Sequence, residues 1–82
     1  MKEIKREWCE NWIRAQFGKH HAFPGGGIEI GLFWRMAERS GLWHPGEYGG
    51  PMSQALEELA EVKTEHDING NFAYNYFELK SI

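Results

Sequence analysis

The residues best suited to metal or nucleophilic chemistry are Cys9, His20, His21, His44 and His66. Their spacing favours neither. The chain has no Cys-x-x-Cys and no His-x-x-x-His, so no pair sits at the separation that zinc ligands adopt. Nothing near Cys9 in sequence offers a base to draw off its proton. Gly25-Gly26-Gly27 has the composition of a phosphate cradle, but no Gly-Lys-Ser/Thr follows it. Ile30 stands where a dinucleotide loop needs its third glycine. The triple glycine therefore reads as a connector. Glu57, Glu58 and Glu61 could exchange protons or mimic phosphates, but such a run is ordinarily a solvated helix face. No cofactor and no catalytic constellation is expected.

Aromatic side chains offer a different chemistry. Four Trp, three Tyr and five Phe make up 15% of the chain. Each ring can bury on the order of 150–250 Å². That is enough to build a small core and leave rings over for a partner. Trp43, His44 and Tyr48 fall in a Pro- and Gly-rich stretch that is hard to bury entirely. Phe72, Tyr74 and Tyr76 alternate along a strand and share one face. Three rings on an outer face would stack bases or anchor a protein. Alternatively, the first helix packs over them and both faces are buried. With Glu57 and Glu61, these six residues are the expected partner contacts.

The elements that position these residues follow from period and punctuation. Ile4, Trp8, Trp12, Ile13 and Phe17 form a stripe at helical spacing, which predicts a first helix over Glu3 to Phe17, with Gly18 as its cap. Cys9 falls at the edge of that stripe. Lys19 to Gly27 is a connector, in which His21 to Phe23 or Gly27 to Glu29 could form a short strand. Ile28 to Ser40 reads as a second helix with Leu32, Phe33, Met36 and Ala37 on one face. Gly41 and Leu42 look like a Schellman end. Pro51 suits the first turn of a third helix, which is expected to run to about Glu61.

Beyond it the period changes. Lys63 to Ile68 and Asn71 to Leu79 read as strands with Asn69-Gly70 between them, the residues of a two-residue type I′ turn. That register sets Asp67 opposite Phe72, Glu65 opposite Tyr74, Lys63 opposite Tyr76 and Val62 opposite Phe77. Val62, Phe77 and Leu79 would then face the core. A one-residue bulge would exchange the faces.

Length and charge narrow the function. The 82 residues are expected to form one domain over 1–82. A net charge of −3 is unlike the basic excess of most nucleic-acid binders. A single cysteine fits a reducing, cytoplasmic setting. No apolar run reaches membrane-spanning length. The charged first turn, with no apolar run after it, is unlike a signal peptide.

Phe33-Trp34-Arg35-Met36-Ala37-Glu38-Arg39-Ser40-Gly41-Leu42 resembles the second helix of winged-helix proteins. Ala55-Leu56-Glu57-Glu58-Leu59, the charged strand after it and Tyr74-Asn75-Tyr76-Phe77-Glu78-Leu79 resemble their third helix and wing. The resemblance spans roughly residues 28 to 80. It implies an α+β fold of three helices followed by a C-terminal antiparallel β-hairpin. In that family the third helix enters the DNA major groove and the wing lies beside it. Carried over, Ser53 and Gln54 would read DNA, with Lys2, Lys5, Arg6, Arg14 or Arg35 on phosphates. Glu57, Glu58 and Glu61 would meet those phosphates with like charge, where affinity needs Lys and Arg.

The chain also resembles small phage or mobile-element proteins in general look. The expectation is therefore a non-catalytic module that binds and modulates a protein or nucleoprotein partner, such as an inhibitor of the anti-CRISPR type. A DNA-binding regulator is the alternative. Duplex DNA and a second copy of the chain remain open as partners.

Overall fold

The computed structural model describes residues 3–19 and 27–80. Lys2, His20, His21, the connector through Gly26 and the strand proposed at His21 to Phe23 lie outside the described residues, as does the side chain of Phe72. The order is α1 (Arg6–Lys19), β1 (Ile28–Glu29), α2 (Ile30–Arg39), α3 (Pro51–Leu59), β2 (Ala60–His66) and β3 (Phe72–Leu79). The strands form one antiparallel sheet in the order β1-β3-β2. The class is α+β, as expected, but the strands are not a C-terminal hairpin. A strand from ahead of α2 completes the sheet by pairing Ile28 with Phe77 and Glu29 with Tyr76.

Glu29 explains why α2 starts two residues later than its apolar period indicates. Its backbone is extended, and its carboxylate accepts the Leu32 N–H at 3.1 Å. That satisfies one of the open N–H groups of a helix start. Gly41 ends the helix with φ +76, and the N–H groups of Gly41 and Leu42 donate to the carbonyls of Glu38 and Ala37. This is the Schellman pattern. Gly18, read as the cap of α1, lies inside that helix instead. α3 stops at Leu59, because the extended Ala60 opens β2 with no intervening loop.

The β2–β3 connection departs from the two-residue turn. Asp67 N–H donates to the Asn71 carbonyl at 2.8 Å, and Gly70 N–H donates to the Asp67 carbonyl at 2.9 Å. The Asp67 carboxylate also accepts the N–H groups of Asn69 and Asn71. Only Gly70 has positive φ, at +84. The loop is therefore three residues long, a type I turn closed by a left-handed glycine. Phe72 consequently pairs with His66 rather than Asp67. A bulge at Ala73 then restores the expected pairs of Glu65 with Tyr74, Lys63 with Tyr76 and Val62 with Phe77.

The core draws on every element. Cys9, Ile13, Phe17, Ile28, Phe33, Ala37, Met52, Ala55, Leu56, Ala60 and Phe77 are buried together. Phe33 lies at the centre, with the rings of Trp34 and Phe77 both 5.2 Å away and Trp12 at 5.6 Å. Two expectations change. Cys9 is fully buried rather than peripheral, while Trp8 is left 40% exposed. α1 packs mainly against α3, and the cysteine, not the tryptophan, faces that contact. Val62 shares a sheet face with its buried partner Phe77 but is 56% exposed, since it stands on the edge strand β2 while Phe77 stands on the central β3.

Candidate functional site

The segment between α2 and α3 is built as a rigid loop. His44-Pro45-Gly46-Glu47 closes with Glu47 N–H on the His44 carbonyl at 3.0 Å, and Gly46 has φ +90. Pro at the second position and a left-handed Gly at the third are the residues of a type II turn. The Trp43 indole N–H donates to the Glu47 carbonyl at 3.3 Å, pinning the ring across the turn. Its ring centre lies 4.8 Å from that of Trp34, at an interplanar angle of 43°. The Gln54 amide donates to the Gly49 carbonyl at 2.9 Å and ties the end of the loop to α3.

Two hollows flank this loop, with Glu47 in the wall of both. The larger is an open cleft of about 680 Å³. It is walled by Ile4 and Trp8 on one side and Leu42, His44 and Pro51 on the other. The smaller, about 270 Å³, is lined by Trp34, Trp43, Glu47, Tyr48 and Ser53. Tyr48 is 92% exposed at its rim. Glu47 Oε1 is covered by protein and has no hydrogen-bond partner among the described residues. Gly50 makes room for it, since a Cβ there would come within 2.9 Å of the Glu47 carboxyl carbon.

Of the expected partner contacts, the loop brings Trp43, His44 and Tyr48 together. Trp43 is half-buried as a wall, whereas His44 and Tyr48 are exposed. Tyr74 and Tyr76 lie on the opposite sheet face, with ring centres 6.3 Å apart. Tyr76 is buried, so that strand face does not present three open rings. Glu57 and Glu61 are exposed, but Glu61 belongs to β2 and pairs with Lys63 at 3.3 Å. The Lys80 ammonium donates to the Glu57 carbonyl.

Of the residues assigned to DNA, Lys2 lies outside those described. Arg6 is held by Glu10 at 3.4 Å and by Glu58 of α3. Lys5 sits over the Trp8 ring at 5.7 Å. Arg14 and Arg35 are exposed. Ser53 is half-buried in the smaller hollow, and the Gln54 side chain is committed to the loop. Glu47 and Trp34 were not singled out from sequence. The signal was a lone carboxylate inside an aromatic, Pro-Gly-rich segment.

Burial pushes the Cys9 thiol up, and the Glu47 and Glu10 carboxylates push the same way. Among the described residues, no three His, Cys, Asp or Glu side chains gather to hold a metal.

A thiol whose folded pKa exceeds its unfolded value binds its proton more tightly when folded. It supports folding fully below the ordinary thiol value and loses that support as pH rises through the folded pKa. The Tyr76 phenol is raised too, by burial and then by Glu65 and Glu78, and has the same sign. The urea midpoint should therefore stay flat to about pH 8.5 and fall above it. Cys9→Ala should reduce the alkaline slope, and native Cys9 should alkylate at least about tenfold more slowly than in urea.

No family model, curated protein or solved structure matches the chain.

Proposed function

We propose that this chain is a non-catalytic interaction module that binds and modulates a protein or nucleoprotein partner through the loop between α2 and α3. The observation that carries this is Tyr48, 92% exposed on a loop that hydrogen bonds hold rigid. An aromatic ring held in water beside an aromatic-walled hollow is the usual anchor of a protein interface. The helix and strand order, with β3 central, supports a winged-helix-like architecture. Within it, α3 turns Glu57 and Glu58 to solvent and carries no Lys or Arg. That supports a protein surface over a phosphate backbone as its partner. A small inhibitor of a nucleoprotein complex, of the anti-CRISPR kind, is the concrete form of this proposal.

Tyr48→Ala separates binding from folding. Its stability should stay within about 0.5 kcal/mol of the parent, because so little of the ring is buried. Affinity for the captured partner should fall by about 30-fold, the cost of an interface anchor near 2 kcal/mol. A Tyr48→Ala variant that keeps every partner at parental affinity would show the surface to be wrong. A gel shift with random duplex at low salt tests the competing function. Retardation with a steep salt dependence would replace protein binding by DNA binding.

A further inference from the structure

The smaller hollow joins aromatic faces to a carboxylate without a cation. Trp34, Trp43 and Tyr48 line it, and the Glu47 side chain completes the wall. No ion pair reaches Glu47 among the described residues; Arg6 and Lys63 are taken by Glu10, Glu58 and Glu61. Among the same described residues, Glu47 Oε1 also lacks any hydrogen-bond donor. A covered carboxylate oxygen left without a donor is costly. Its negative potential falls on the hollow beside it. Two tilted indoles 4.8 Å apart and an open phenol add the negative faces of their rings. The rings and the Glu47 side chain favour positive charge or apolar carbon; the Ser53 hydroxyl and the partial positive charge of the α3 N-terminus, where Ser53 sits, act against them.

We infer that the hollow receives the side chain of an arginine on the partner protein. This rests on the protein-binding function proposed above and names the partner's chemistry. A guanidinium is planar, stacks on aromatic faces and sheds water more readily than an ammonium. The space of about 270 Å³ matches roughly nine water volumes, enough for a guanidinium and part of its stem. The Ser53 hydroxyl accepts a guanidinium N–H. Tyr48 lies across the mouth and covers the cation once it is seated. A chain with net charge −3 draws a basic partner surface toward the same site.

The test titrates the whole chain with N-acetyl-arginine amide and follows the indole N–H signals by NMR. N-acetyl-citrulline amide, nearly the same shape without the charge, is the control. Arginine should move the Trp34 and Trp43 signals saturably, with Kd on the order of 1–10 mM. Citrulline should leave them still. Glu47→Gln and Tyr48→Ala should each weaken binding about fivefold. The assignment is overturned if arginine moves neither signal, if it moves only Trp8, if citrulline acts equally, or if Glu47→Gln binds unchanged.

The two proposals fail separately. Arginine binding beside partner capture indifferent to Tyr48→Ala would retain the site and remove the proposed function. Partner capture that needs Tyr48, with no arginine response, would do the reverse.

Discussion

Phe33→Ala is expected to remove about half of the protein's stability. Phe33 is fully buried, and among the described residues its ring meets those of Trp12, Phe17, Trp34 and Phe77. Those rings come from α1, α2 and β3, so the cavity would open where the three elements meet. Truncations of this kind cost about 3–5 kcal/mol. A domain of this size has roughly 4–12 kcal/mol in total. The urea midpoint should drop by about 2 M or more, and the least stable outcome is a chain unfolded without denaturant. Phe33→Leu should cost under about 2 kcal/mol, since it keeps most of the volume. If alanine were as mild as leucine, the core would not be organised around this ring. The loop would suffer as well, because the Trp34 ring packs at a tilt against Trp43 and borders the smaller hollow.

Where local chemistry decided the outcome, the sequence was readable. Gly41 and Leu42 end α2 by the bonds their types imply, and Pro51 opens α3. The register of Val62 with Phe77 and Lys63 with Tyr76 followed from counting along the two strands. The turn was misread because Asn69-Gly70 is only one of two local options. Asp67, two residues ahead, caps the N–H groups of Asn69 and Asn71, and that side chain selects the longer loop. Ala73 absorbs the extra residue, which is why the far register survived a wrong turn.

Burial was less legible, because it depends on what arrives from elsewhere in the chain. Alternation placed Val62 on the correct face but said nothing of its place on an edge strand, where it stays exposed beside a buried Phe77. In α1, size misled: Trp8 looks more like core than Cys9, yet Cys9 aligns with Ile13 and Phe17 at four-residue steps. For the candidate site, composition exposed Trp43, His44 and Tyr48, because a Pro- and Gly-rich loop has no ladder to bury it. Glu47 was hidden for the same reason. A glutamate in such a loop looks solvated, and only the fold sets it between two hollows.

Gly27→Ala is expected to be a damaging small change where β1 meets β3. A Cβ at Gly27 would lie 2.8 Å from Tyr76 Cε2 and 3.0 Å from the Phe77 carbonyl oxygen. Neither neighbour yields cheaply. The Tyr76 ring is buried, and Phe77 is the residue that pairs with Ile28 to hold β1 in the sheet. Either the ring swings out or β1 lifts from β3. Overpacking of this kind costs about 1–3 kcal/mol, and the thermal midpoint should fall by roughly 5–20 °C.

A double-mutant cycle identifies the cause. In a Tyr76→Ala background the added methyl has space, so Gly27→Ala should cost less than half as much. An equal cost in both backgrounds would remove the ring from the explanation and leave the Phe77 carbonyl. The same cycle distinguishes the tyrosines by role. Changes at Tyr76 should register as lost stability, whereas Tyr48→Ala should leave the midpoint in place and register only in what the protein binds.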